Sequence, residues 1–304
     1  MLRSGFAHST AERTSLAVAL WTLSAIIFRE PLKSLLELAS QDDRFTHTLI
    51  TPFITAALIY LRRKTVFREC QYSWGIGIPL ILLGIALWKS LSGLTSSLQP
   101  NDRLAVLSIP IILTWLGGFI LCYGVQPFSA ALFPLLFLFF MTPPPTAVLS
   151  HVVYVLQKGS AEAAEILFQV AGIPVYRQDL LFSLPGVDIE IAEQCSGIRS
   201  SLSLFLSGVL ASHIFLQSAW KRACLILLTI PIAIFKNAVR IVTISWLGIY
   251  VNSDVFYGAL HTRGGLPFSV LALAILGFFL LALRGWRPSS KTSGGRASAQ
   301  TAPL

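Results

Sequence analysis

Eight stretches of about 20 apolar residues, each bounded by charge or turn residues, recur along this chain of 304, and a helix of that length spans a bilayer. They cover 14–28, 46–61, 73–91, 104–123, 127–149, 197–217, 223–246 and 266–283. With 54% hydrophobic and only 12% charged residues and a mean hydropathy of +0.71, the chain has too few charges to cover a soluble surface. The expected fold is an all-α polytopic membrane protein of about eight transmembrane helices. One transmembrane domain is expected over 1–283, followed by a disordered tail over 284–304 that is rich in Ser, Gly, Ala and basic residues. The first stretch is short and follows Arg3 and Arg13, so a signal peptide competes for it, but no small-x-small cleavage site follows Phe28.

Charge sets the orientation. With the N-terminus inside, the inner segments hold twelve basic and two acidic residues, and the outer segments nine basic and twelve acidic. The basic excess beside spans two, six and eight puts both termini in the cytoplasm. The net charge of +9 therefore reflects topology and does not call for nucleic acid as a partner. There is no internal repeat and no GxxxxGK or GxGxxG phosphate loop, so no cofactor is expected.

One outer segment, about 150–196, is long enough to hold structure. From His151 to Ala171, residues Val152, Val155, Leu156, Ala163, Ile166, Leu167 and Val170 recur at helical spacing, as in an amphipathic helix lying along the membrane. Ile173–Arg177, Leu180–Leu184 and Val187–Ile191, separated by Gln178-Asp179 and Pro185-Gly186, read as two or three short strands of a small cap. Ala192-Glu193-Gln194-Cys195-Ser196-Gly197-Ile198-Arg199-Ser200 then leads into the sixth span.

Three residues from separate segments reach that same outer face. Cys195 is the one of four cysteines placed there. A buried structural thiol is the plain reading, but its polar neighbours and its place at the amino end of a helix favour a thiolate. Arg240 stands about 27 Å along the seventh span, near the outer interface, and shares a helix face with Asn237 three residues before it. Snorkelling to headgroups competes with function there, though an ionisable residue in a span is by default a functional candidate. Lys236 has no assigned role. His261, before the last span, is a titratable group on that side. Zinc held by Cys195, His261 and His151 has no CxxC or HxxxH spacing behind it, and no metal is expected. A thiol, a permanent cation and an imidazole are the parts of a cysteine acyl transferase.

These motifs resemble the exosortase family of multi-spanning, transpeptidase-like sorting enzymes of Gram-negative bacteria. The resemblance rests on Glu193–Ser200, on Asn237-Ala238-Val239-Arg240-Ile241, and on His261 with Gly264-Gly265. Phe133-Pro134 through Met141–Pro145, Gln157, Gly172–Val175 and Asp43–His47 add to it; the last departs from the family in having Thr48 where a glycine is common. The resemblance implies Cys195 as nucleophile, Arg240 as stabiliser of thiolate and oxyanion, and His261 as general acid and base, with Ser196, Gly197 and Asn237 supporting. It implies as partners exported proteins whose C-terminal sorting signal joins a Pro-containing motif, a transmembrane helix and a basic cluster. They would be cut through a Cys thioester at the outer face of the inner membrane, in processes tied to exopolysaccharide. Membrane lipids and an unidentified acceptor nucleophile complete the set. A transporter or flippase, or a scaffold for envelope assembly, would share the hydropathy but would not need the thiol.

Overall fold

A computed structural model describes residues 2–191, 197–251 and 265–285, with side chains from Glu12 onward. Beyond Gly285 the expected tail lies outside the described residues. Helix α1 (Leu2–Ile27) meets α2 (Arg29–Gln41) at a bend of 79°. Helix α2 is amphipathic: Pro31, Leu35 and Ala39, four apart, are buried, while Arg29, Glu30, Lys33 and Glu37 face out. A short 3-10 turn (Asp43–Phe45) leads into α3 (Thr46–Leu61), whose bounds coincide with the second apolar stretch. Helix α4 (Arg63–Val66) is a single turn; α5 (Trp74–Leu94) and α6 (Pro100–Tyr123) follow.

The expected fifth span over 127–149 is broken. The chain forms α7 (Val125–Ala130), α8 (Leu132–Phe137), a 3-10 turn (Leu138–Met141) and a non-helical stretch, then restarts as α9 (Thr146–Val170) after a bend of 90°. Pro143, Pro144 and Pro145 explain the break, because proline lacks an N–H and disfavours helical backbone in the residue before it. Helix α9 thus starts five residues earlier than the amphipathic pattern from His151 indicated. Its new amino end is capped from another helix: the Asp102 carboxylate accepts from the Thr146 N–H (2.6 Å), and the Asn101 amide donates to the Pro144 carbonyl (2.8 Å).

After α9 come three short strands, β1 (Tyr176–Gln178), β2 (Leu181–Leu184) and β3 (Val187–Glu190), an antiparallel sheet in that order. Register pairs Arg177 with Phe182 and Phe182 with Ile189. Pro185-Gly186 makes the second turn, with Gly186 at φ +81° where a side chain would be strained. The chain ends in α10 (Ile198–Phe215), α11 (Ala219–Tyr250) and α12 (Gly265–Gly285).

Two compact units emerge, residues 1–159 with 191–199, and 160–190 with 200–304. In the first, α6 is the central helix: Ile111, Ile112, Phe119 and Cys122 are fully enclosed among Phe28, Leu35, Val66 and Leu138. Helix α5 lies against it at a distance only glycine permits, since a Cβ at Gly84 would stand 2.3 Å from Thr114 Oγ1 and one at Gly77 2.6 Å from the Leu121 Cα. In the second unit, Phe182 of the sheet stacks against Phe168 of α9 at 5.7 Å, and α11 packs along α12, with Lys221 Nζ donating to the Leu283 carbonyl (2.7 Å).

Among the described residues, α5, α6, α10, α11 and α12 are each long and apolar enough to cross a membrane, and the two bent helix pairs bring the total from five to seven. Helix α3 has 16 residues, about 24 Å, shorter than the usual span. Outward faces are apolar: Leu82 and Leu83 on α5, and Leu266, Val270, Phe278 and Leu281 on α12, are all exposed. That pattern fits a hydrocarbon surround, and the protein is an all-α polytopic membrane protein.

Candidate functional site

Residues 192–196, including Cys195 and Ser196, and residues 252–264, including His261, lie outside the described residues. What surrounds the cysteine segment in sequence is defined. On its amino side, Ile191 is buried (2% exposed), and its carbonyl accepts a hydrogen bond from the Gln157 amide of α9 at 2.8 Å. Gln157 is itself buried, so this amide–carbonyl bond lies in a low-dielectric setting where it has few competitors. On the carboxyl side, Gly197 takes φ +69°, a conformation that favours glycine at the entry to α10. Arg199 then pairs with Asp43, which begins the turn before α3. Both flanks of 192–196 are thus tied within the first unit to residues far off in sequence.

The turn that supplies Asp43 is itself organised. Asp42 accepts from the Arg44 backbone N–H (2.9 Å) and its carboxylate contacts the Arg44 guanidinium at 2.7 Å. Burial alone would raise the Asp42 pKa, but the hydrogen bonds and charge of Arg44 more than offset it and hold the carboxyl below the ordinary value. His47 Nδ1 lies 3.0 Å from the Arg44 carbonyl, and Thr48, in the position that departs from the family pattern, bonds its hydroxyl to the Phe45 carbonyl at 2.8 Å.

In the second unit, α11 carries the basic residues. Lys236 (2% exposed) and Asn237 (1%) are buried and Arg240 is half-buried. At spacings of three and four they share one helix face. Lys236 Nζ donates to the Ser200 hydroxyl in the first turn of α10, and the Arg240 charge is close enough to act on Lys236. Lower down, Gly208 admits the Thr229 methyl, which would stand 2.6 Å from a Cβ there. Ser200 to Gly208 is eight residues and Thr229 to Lys236 is seven, so α10 and α11 run antiparallel in step. Arg240 lies one turn beyond Lys236, in the direction of the amino end of α10.

Aromatic residues mark the depth of this cluster. Trp220 near the start of α11, and Trp246 and Tyr250 near its end, are exposed, as in the belts that flank a bilayer. Arg240 is six residues short of Trp246, about 9 Å toward the apolar middle of the helix. A charge there is costly, so Lys236 and Arg240 are poor choices for a purely packing role.

Of the expected site residues, the structure therefore describes Arg240, Asn237 and Gly197, and sets Arg240 and Asn237 on one face. Lys236 and Ser200 join them, a contact hidden from the sequence because 36 residues separate its partners. An ionisable residue inside an apolar stretch was the available signal for Lys236. Of the other histidines, His151 is exposed on α9 and His213 belongs to the last turn of α10.

Chemically, a half-buried guanidinium in low dielectric can stabilise a thiolate or a developing oxyanion. A family model described as transmembrane exosortase matches residues 39–278 of the chain. Nothing matches among curated proteins or solved structures. The matched region takes in more than three quarters of the chain, with α3, the three strands, Lys236 and Arg240 of α11 and all three sequence motifs. The chain belongs to the transmembrane exosortase family.

Proposed function

We propose that this protein is a membrane-embedded cysteine peptidase or transpeptidase that cleaves C-terminal sorting signals of exported proteins. The signal consists of a Pro-containing motif, a transmembrane helix and a basic cluster. Cys195 is the nucleophile: its thiolate attacks the scissile carbonyl, Arg240 stabilises the oxyanion, and the C–N bond breaks as His261 protonates the leaving amine. The resulting thioester is opened when His261 takes a proton from water or an acceptor nucleophile, which attacks the carbonyl and returns the thiolate. Arginine stays protonated in proteins, so the proton shuttle falls to His261.

The observation that carries this reading is the placement of Arg240 on a buried polar face of α11, one turn past the contact with the helix that begins just after Cys195. Ties from Gln157 and Asp43 to the two flanks of 192–196 support it further. The topology we propose has eight spans with both termini in the cytoplasm: the five long helices, α1, the short α3, and the broken segment 125–141. Supporting it, Arg13, Tyr72 and Cys122 meet at one end of the first unit, through a guanidinium 4.0 Å from the Tyr72 ring and a 3.2 Å bond to the Cys122 carbonyl. Asp102 and Thr146 meet on the far side of α6. In the proposed topology the reaction takes place on the periplasmic face of the inner membrane, and the segment about 150–196 is proposed to limit water near the thioester. The amphipathic α9 exposes Val152, Val155, Ile166 and Val170, in keeping with a helix on the outer leaflet.

The test is co-expression with an exported reporter that carries such a signal from the same genome, beside Cys195→Ala, with reporter sizes read by gel and mass. Shortening that requires Cys195 supports the proposal, and the new C-terminal mass identifies water or another acceptor. Reporters that stay intact, or that shorten equally with Cys195→Ala, refute it and favour a transporter or scaffold.

A further inference from the structure

Arg13 has no part in the chemistry above. Its guanidinium lies over the Tyr72 ring, 4.0 Å from the centroid, and donates one hydrogen bond, to the Cys122 carbonyl at 3.2 Å. No carboxylate pairs with it among the described residues. Arginine keeps its charge and carries five N–H donors, so a half-buried permanent cation stands here with donors to spare. Tyr72 and Trp74, at the start of α5, are exposed and mark this level as a bilayer interface.

Along the same helices, within the first unit, a half-open groove runs between α1, α5 and α6 and encloses about 360 Å³ counting its open side. Its lining is almost wholly apolar, with Leu20, Ile27, Ile81 and Ile85 on the walls beside Gly118. Gly118 is four residues from Cys122 on α6, and Ile27 is fourteen from Arg13 on α1, so the groove extends from about 6 Å to about 21 Å beyond the guanidinium level. One headgroup layer and half the hydrocarbon core together measure about 20 Å. A lipid whose phosphate is level with Arg13 would therefore lay its acyl chain along the groove.

Four lining side chains carry polar groups, and three of these are satisfied. The Trp115 indole donates to the Ser24 hydroxyl (2.8 Å), the Ser24 hydroxyl to the Trp21 carbonyl (2.7 Å), and the Thr114 hydroxyl to the Pro110 carbonyl (2.9 Å). The indole N–H of Trp21 has no acceptor among the described residues. Its nitrogen stands 3.9 Å from where a Cβ on Gly118 would be, since side chains on a helix lean toward its amino end, here the Arg13 end. A donor at that depth has no water to turn to, and leaving it unmet is costly. The acceptor that a bilayer supplies there, a few ångströms below a phosphate, is the ester carbonyl of a glycerophospholipid.

From the cation, the unmet donor and the apolar groove in line, we infer a binding site for an anionic glycerophospholipid. Its phosphate sits on the Arg13 guanidinium, an ester carbonyl accepts from Trp21, and one acyl chain fills the groove and supplies the dispersion contacts that an empty void forfeits. A net negative headgroup is favoured over a zwitterionic one because Arg62, Arg63, Lys64 and Arg68, all exposed, lie in the short stretch between α3 and Tyr72, against Glu12 and Glu69. In the proposed topology the lipid belongs to the inner leaflet. The site uses none of the residues assigned to cleavage.

The experiment titrates full-length protein in detergent with dioleoyl phosphatidylglycerol, with its dialkyl ether analogue, which has no ester carbonyl, and with dioleoyl phosphatidylcholine, counting bound lipid by native mass spectrometry. Wild type should bind phosphatidylglycerol at least about 10-fold more tightly than phosphatidylcholine and about 5-fold more tightly than the ether lipid. Trp21→Phe, which keeps the ring and loses the donor, should abolish the second difference. Arg13→Gln and Gly118→Leu, the latter filling a groove open to a side chain, should each weaken phosphatidylglycerol binding at least about 10-fold, while Lys33→Gln on the exposed face of α2 leaves it unchanged. Equal binding of phosphatidylglycerol and phosphatidylcholine by wild type, no preference for ester over ether, wild-type affinity in Gly118→Leu, or a loss in Lys33→Gln as large as in Arg13→Gln would each overturn the inference. Because every readout is binding, the result stands whatever Cys195→Ala does to reporter cleavage.

Discussion

On α11 an ammonium, a carboxamide and a guanidinium fall within five positions of one helix face, at depths where each is costly. Their chemistry is not interchangeable. Arg240 presents a planar fork of donors with its charge spread over the guanidinium, whereas lysine would place a compact, strongly hydrated charge on a flexible four-carbon stem. Arg240→Lys is therefore expected to lower reporter kcat about 100-fold or more despite keeping the charge, measured in vesicles against wild type; full activity would reduce the role of Arg240 to net charge. A second residue-scale effect concerns Asp42, whose carboxyl is held below its ordinary pKa in the folded protein. A depressed carboxylate stabilises the fold above the unfolded pKa, and that contribution disappears as pH falls through the folded value. Thermal unfolding of purified protein between about pH 6 and pH 3 should show an acid-dependent loss that Asp42→Asn lacks. The loss is small because the pair is partly exposed.

At the scale of elements, legibility in the sequence followed charge. Helix α3 was readable to the residue because Arg44 lies just before it and Arg62 just after, and α10 and α12 differ from their apolar stretches by no more than two residues at either end. The stretch 127–149 misled because prolines carry no charge: hydropathy ran through Pro143–Pro145, while the backbone could not. Helix α2 escaped because its apolar face is only Pro31, Leu35 and Ala39, too narrow to register as a span. The strands were readable from alternation and from the Pro185-Gly186 turn, but the tie from Gln157 to Ile191 was not, since it depends on how α9 meets the end of the sheet strand 34 residues later. The closeness of α5 to α6 was equally hidden, and it makes a prediction. Gly84→Leu forces a side chain into Thr114 and the Pro110 carbonyl, at a cost of about 2 kcal/mol or more, whereas Gly93→Ala enters open space and holds or gains stability. Thermal unfolding of the two variants in one detergent checks this; equal behaviour would mean that the two helices can separate without loss.

For the whole molecule, the central expectation is one reactive face built from chain segments far apart in sequence, on one side of a membrane. Impermeant maleimide should label cysteines introduced at Asn101 and Asp179 from the periplasm, and cysteines at Lys64 and Lys291 only after the membrane is permeabilised. The reverse pattern would put the site in the cytoplasm and contradict the charge distribution that set the orientation. The most direct test of the account is the covalent intermediate itself. Purified protein is mixed with the sorting-signal reporter, quenched in acid within its first turnover and digested, and the peptide holding residue 195 is weighed. The account predicts that this peptide carries the amino-terminal part of the reporter as a thioester, released by neutral hydroxylamine and absent from Cys195→Ala. A reporter that is shortened at the same rate by Cys195→Ala, with no adduct on residue 195, would contradict it.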